Sequence, residues 1–122
     1  MSRLKVLLVD DEEEFVTTLS ERMALKGVEP ETAFSGDDAL ARVAERPPDI
    51  VVLDVVMPGL NGFDVLREIK RILPHIPVIL LTGRGSTRDG IEGMRQGAFD
   101  YLMKPVDIED LLAKINEAVN HT

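Results

Sequence analysis

LKVLLVDD, residues 4–11, is a nearly continuous apolar run that stops on two acids. A strand with one face in water alternates apolar and polar residues, whereas a strand covered on both faces does not. Leu4 to Val9 therefore reads as a buried parallel strand carrying Asp10 and Asp11 at its carboxyl end. From Glu12 the period changes: Phe15, Leu19, Met23 and Lys26 recur at helical spacing, the first turn is rich in Glu, and Gly27 supplies the stop.

The same cycle repeats along the chain. A weak strand over Val28 to Phe34 precedes a helix from Gly36 to Glu45, opened by Ser35, and Pro47-Pro48 breaks the chain before the strongest strand, Ile50 to Leu53. Pro58-Gly59-Leu60-Asn61-Gly62 is dense in turn formers, and Phe63, Leu66, Ile69, Lys70 and Leu73 then mark a third helix stopped by Pro74. A strand over Pro77 to Thr82 leads to a helix over Thr87 to Gln96. A last strand, Tyr101 to Met103, leads to a helix over Ile108 to Val119, N-capped by Asp107, with Ile108, Leu111, Leu112, Ile115 and Val119 inward. Strict alternation with apolar strands predicts an α/β fold, a five-stranded doubly wound parallel sheet with five helices on both faces. The fourth helix carries Gly90 and Gly93, each about 1 kcal/mol worse than Ala in a helix, so it is expected to be the least stable.

The 122 residues fit one compact domain, and 44% hydrophobic content is enough for a core. Cysteine is absent, which removes disulfides and thiolate zinc sites. A formal charge of −8 repels phosphate backbones and argues against direct nucleic-acid binding without a fused basic domain. The longest apolar stretch, Ile50 to Leu53 continued past Asp54 to Met57, is too short and too acidic to span a membrane, and Met1-Ser2-Arg3-Leu4 does not open a secretory signal. A cytoplasmic chain is expected.

In open parallel sheets the functional crevice lies outside the carboxyl ends of the strands. Asp10 and Asp11 end the first strand, Asp54 the third, Thr82 the fourth and Lys104 the fifth, so four segments converge. Taken alone, an acid pair before a helix is most simply a cap. Asp54, inside IVVLDVVM, changes the balance, because carboxylates crowded at 4 Å repel by about 4 kcal/mol per pair at an effective dielectric near 20. Lys104 neutralises one acid of three. A hard divalent cation with oxygen ligands neutralises the rest, and Mg²⁺ suits a site that also receives phosphate.

LLVDDEE, PDIVVLDVVMPGLNG, PVILLTG and AFDYLMKP occur in that order and spacing. Through them the chain resembles the chemotaxis-regulator-like receiver domains of bacterial two-component response regulators, as a single receiver domain over residues 1–122 with the flavodoxin-like arrangement. The resemblance implies that Asp54 is the phosphoacceptor, Asp11 a direct Mg²⁺ ligand, Asp10 a second acid acting through water, and the Val56 backbone carbonyl a further ligand. It implies that Thr82 and Lys104 contact the phosphoryl oxygens and that Tyr101 turns inward as the switch is thrown; a half-covered strand aromatic fits Tyr101 equally well. It also implies that Gly83 leaves the phosphoryl group an approach path and that the Lys104-Pro105 step is often cis. Val56 and Arg84 stand where the family tunes phosphoryl lifetime, and Val56, without a hydrogen-bonding side chain to orient water, points to slow autodephosphorylation.

By the same resemblance the phosphodonor is a histidine kinase or histidine phosphotransfer protein. It would be met by Glu14, Phe15, Thr18 and Arg22 on the first helix and by the loop at Pro105. Phe15 fits the core stripe as well, but Val16, Leu19 and Met23 already supply one. The output is a downstream effector protein or a fused output domain, and a phosphorylation-dependent homodimer through the fourth helix, fifth strand and fifth helix is allowed. Two other readings compete. A haloacid-dehalogenase-type phosphatase uses an acid two residues after its nucleophile, where this chain has Val56. A degenerate receiver, acting as a phosphorylation-independent interaction module, lacks pocket residues that are all present here. His75 and His121 lie outside every matched motif.

Overall fold

The computed structural model describes residues 3–55, 61–83 and 87–120. Five strands and five helices alternate: β1 (Lys5–Val9), α1 (Glu13–Leu25), β2 (Glu29–Ala33), α2 (Gly36–Glu45), β3 (Ile50–Asp54), α3 (Gly62–Ile72), β4 (Val78–Thr82), α4 (Thr87–Arg95), β5 (Asp100–Met103) and α5 (Ile108–Val119). The strands form one parallel sheet in the order β2-β1-β3-β4-β5. This is the predicted doubly wound architecture.

The apolar strand runs divide by the pleat. Val6, Leu8, Ile50, Val52, Ile79 and Leu81 face one layer, where they meet Val16, Leu19 and Met23 of α1 and Leu111, Ile115 and Ala118 of α5. Leu7, Val9, Val51, Leu53, Val78 and Leu80 face the other, against Ala39 and Val43 of α2 and Val65, Leu66 and Ile69 of α3. Each such side chain contributes roughly 1.5–3 kcal/mol on burial, so consecutive strand residues stabilise opposite faces of one sheet. The two edge strands depart from the pattern: β5 (DYLM) has no fully buried residue, and β2 is the more polar. The EPETA sequence of β2 pairs with β1 alone, and an edge strand tolerates Pro30, which cannot donate to the ladder.

Several boundaries move by a residue or two. The first helix begins at Glu13, with Glu12 as an N-cap that makes no side-chain capping bond. β3 extends through Asp54, which registers with Leu81, and β5 begins at Asp100. Asp107 caps α5 as predicted, accepting from the Glu109 and Asp110 N–H groups. On α5 the buried set is Leu111, Ile115 and Ala118, with Ile108, Leu112 and Val119 half-buried at the flanks.

The direction in which successive strands are added reverses at β1, β2 lying on one side of it and β3 on the other. The carboxyl ends of β1 and β3 therefore border the crevice that doubly wound sheets leave at such a point.

Candidate functional site

Asp10 follows β1 directly, Asp54 closes β3 and Thr82 closes β4; all three are buried, at 1%, 4% and 0% exposure, among an otherwise apolar interior. Buried ionised groups persist only when paired. The pairing comes from Lys104, one residue past β5, whose Nζ donates to Asp10 Oδ2 at 2.7 Å and Glu12 Oε1 at 3.0 Å, and lies 3.4 Å from Asp54 Oδ2. Burial works against the Lys104 ammonium, but hydrogen bonds to Asp10 and Glu12 and the charge of Asp54 outweigh it and hold its pKa above the usual lysine value. The ammonium also lies 4.6 Å from the centroid of the Phe15 ring, close enough for a cation–π contact.

Local sequence sets this arrangement. The Lys104 backbone N–H donates to Thr82 O at 2.8 Å, so the end of β4 positions the residue that reaches toward β1 and β3. The Lys104-Pro105 peptide is cis. The Glu12 N–H donates to Asp10 Oδ1 at 3.0 Å, which turns the chain sharply from strand into helix. Gly62 begins α3 with its N–H on Val55 O at 2.9 Å, and a Cβ there would lie 2.5 Å from Val55 Cα. Only glycine lets α3 start against the backbone beside Asp54.

Asp10, Glu12 and Asp54 each offer a carboxylate oxygen, and these oxygens lie within 4.8 Å of one another. An all-oxygen, acidic donor set is what a hard divalent cation such as Mg²⁺ takes, so the residues present fit the ion. Among the described residues the Thr82 hydroxyl is buried without a hydrogen-bond partner. Buried hydroxyls rarely go unpaired, and one left so at the carboxyl end of a strand that is bonded through its backbone to Lys104 is suited to donate to an anionic oxygen. A Cβ at Gly83 would meet nothing within 4 Å, so space is open beside it.

Of the site residues expected from sequence, Asp10, Asp54 and Lys104 meet in this cluster, and Thr82 adjoins it through the Lys104 backbone. Asp11 is exposed and is not among the three clustered acids; Glu12 takes the third place. Val56 and Arg84 lie outside the described residues. Tyr101 is half-buried, with its ring filling the space where a Cβ on Gly90 would stand. Glu14, Phe15, Thr18 and Arg22 line a single groove of about 610 Å³ that continues to Val106 and Ile108; Pro105 is exposed nearby and is not part of its lining. Glu12 is the residue that sequence reasoning passed over, because an acid in the first turn of a helix looks like any other dipole-favoured acid.

Residues 6–116 match the family described as the response regulator receiver domain. The chain is 36% identical over 121 residues to the DNA-binding transcriptional regulator NtrC of Salmonella typhimurium, covering 99% of this chain and 26% of that protein. It is 39% identical over 119 residues to the uncharacterized transcriptional regulatory protein YkoG of Bacillus subtilis, covering 98% and 52%. The chain thus spans between a quarter and about half the length of these relatives. Among solved structures, the response regulator receiver domain protein from Clostridium thermocellum superposes with a TM-score of 0.91 at 42% identity, covering 96% of this chain and 94% of that one. The receiver domain of NtrX from Brucella abortus gives a TM-score of 0.91 at 33% identity, covering 96% and 99%. No helix among the described residues is long and apolar enough to cross a membrane.

Proposed function

The chain belongs to the family of response regulator receiver domains, and on that footing we propose that it is a phosphorylation switch whose acceptor is Asp54. The observation that carries this reading is the meeting of Asp54 with Lys104 and Asp10 at the carboxyl ends of the strands, next to a buried Thr82 hydroxyl that has no partner among the described residues.

An Asp54 carboxylate oxygen attacks phosphorus in line as the phosphorus–nitrogen bond of a phosphohistidine donor breaks, the electron pair leaving with the imidazole nitrogen. A carboxylate approaches a dianionic phosphoryl group poorly unless charge is screened, and Lys104 supplies part of that screening. Mg²⁺, which Asp10, Asp11, Asp54 and the Val56 carbonyl would hold, neutralises the remaining charge when bound. The acyl phosphate adds negative charge where Thr82 and Lys104 can donate to it. Thr82 moves toward the phosphoryl oxygens, the end of β4 follows, and Tyr101 leaves Gly90 to turn inward, which changes the face made by α4, β5 and α5. Exposed Ile91, Met94 and Met103 lie on α4 and β5 of that face. It is the surface we assign to a downstream effector, to a fused output domain or to a second copy of the chain.

The donor histidine protein approaches the groove of Glu14, Phe15, Thr18 and Arg22, which Phe15 joins to Lys104, with Pro105 at its rim. A cytoplasmic location accompanies this reading, and Val56 and Arg84 set the phosphoryl lifetime. Intact-mass spectrometry with Mg²⁺ and acetyl phosphate tests it. We expect one phosphate adduct that disappears in Asp54→Ala and in a chelated control. No adduct would favour an interaction module that works without phosphate, and phosphate release with no adduct would favour a phosphatase.

A further inference from the structure

Lys104 is fully engaged before any phosphate arrives. An ammonium offers three N–H donors, and three carboxylates surround it: Asp10 at 2.7 Å, Glu12 at 3.0 Å and Asp54 at 3.4 Å. For Lys104 to donate to a phosphoryl oxygen, one of these must let go. The three are not equivalent. The side chains of Asp10 and Asp54 are 2% and 6% exposed, whereas that of Glu12 is 64% exposed. A carboxylate released into water is rehydrated at once, while one released inside the protein stays desolvated, so Glu12 is the partner that can be exchanged.

We propose that Glu12 is a positioning residue that holds Lys104 in the resting receiver and is displaced from it by the phosphoryl group, so that it sets how readily Asp54 is phosphorylated. Two features support this beyond the contact. Glu12 occupies the N-cap of α1, yet its side chain makes no capping bond; its carboxylate goes to Lys104 instead. Its backbone is pinned by the bond to Asp10 Oδ1, so the side chain starts beside the pocket and its carboxylate can reach Lys104 or swing into water. There it has two opposing effects. Lying within 4.8 Å of the Asp10 and Asp54 oxygens, it adds negative charge that favours a divalent cation. The same charge repels the incoming dianion, and it occupies the donor that the dianion needs.

The inference rests on Asp54 being the acceptor, and it separates from that reading by experiment. With acetyl phosphate, the phosphorus–oxygen bond to Asp54 forms as that to acetate breaks, acetate leaving with the electron pair. Glu12→Gln keeps the length and removes the charge. At saturating Mg²⁺ we expect it to label about 3–10-fold faster than the wild type, as the loss of one such charge-assisted contact would give. Mg²⁺ binding, measured by calorimetry without phosphodonor, should weaken severalfold. In the metal-free protein, the Lys104 ammonium protons followed by NMR should exchange with water faster in Glu12→Gln, and Glu12→Asp should recover part of the protection. A purely structural role would lower labelling and Mg²⁺ affinity together; that result, an unchanged labelling rate, or unchanged ammonium exchange would each overturn the proposal. A wild-type chain that takes up no phosphate would sink the acceptor reading and this one with it, whereas a labelled wild type beside an equally fast variant sinks this one alone.

Discussion

Helices α4 and α5 flank the same edge strand, β5, and are held by opposite means. α5 drives Leu111, Ile115 and Ala118 into the core, is capped by Asp107, and is tied to the strand by Lys114 Nζ at 2.7 Å from Asp100 Oδ2. α4 buries only Gly90 and Gly93 and leaves Ile91 and Met94 exposed. At Gly93 the missing Cβ makes room for the Leu80 side chain, and at Gly90 for the Tyr101 ring. One helix docks by the side chains it inserts, the other by side chains it lacks. The first mode stabilises the fold through buried area; the second brings a helix backbone within reach of the residue that is expected to move.

Removing an inserted side chain should cost the most. Leu111→Ala empties a fully buried site, and we expect a loss of about 3 kcal/mol in urea unfolding, within the range for large-to-small core changes. If the loss stayed under about 1 kcal/mol, α5 would not be anchored as described. Gly93→Ala is the sharper test because two principles give opposite signs. Helix propensity alone favours Ala by about 1 kcal/mol. The new methyl would collide with Leu80, which is 0% exposed and would have to repack within the core, at a cost of about 1–3 kcal/mol. We expect net destabilisation of about 1 kcal/mol by the same unfolding measurement. A stabilised Gly93→Ala would mean that α4 is weak through its composition and not close through its packing.

That sign question marks where the sequence stopped being legible. Gly90 and Gly93 read as two helix defects because the residues opposite them, Tyr101 and Leu80, come from other elements and no periodicity names them. The alternation of strands and helices and the burial of the sheet on both faces were readable, since apolar runs and 3.6-residue stripes are local; the order β2-β1-β3-β4-β5 is set by non-local pairing. The ends of the elements were less so: β3 reaches Asp54 because Leu81 stands opposite in the ladder, and α1 starts after Glu12, whose backbone is non-helical and whose N–H is held by Asp10 Oδ1. The site divides in the same way. Asp10, Asp54, Thr82 and Lys104 were visible as polar residues stranded at apolar strand ends. Glu12 stood in a run of acids, where only the position of a lysine far along the chain distinguishes it from its neighbours. Asp11, which the resemblance makes a metal ligand, is exposed and lies outside the cluster of three acids.

The smallest expected change in stability comes with the most informative signal. In Gly90→Ala the added Cβ would stand 2.5 Å from three atoms of the Tyr101 ring, again a collision, but with a different obstacle. Leu80 is enclosed by the core, while Tyr101 is half-buried on an edge strand and can rotate about χ1. The helix gains about 1 kcal/mol from Ala, and the ring loses a comparable amount of packing against α4. We therefore expect unfolding free energy to change by less than about 0.5 kcal/mol. The chain has one tyrosine and no tryptophan, so the near-ultraviolet tyrosine band reports on this ring alone, and it should change clearly although stability does not. Should the band hold while stability falls as in Gly93→Ala, the ring would be fixed and the helix would be what yields. Gly90 would then be a rigid contact like Gly93, and the route from Thr82 to the α4 face would have to run through the β4–α4 connection without Tyr101.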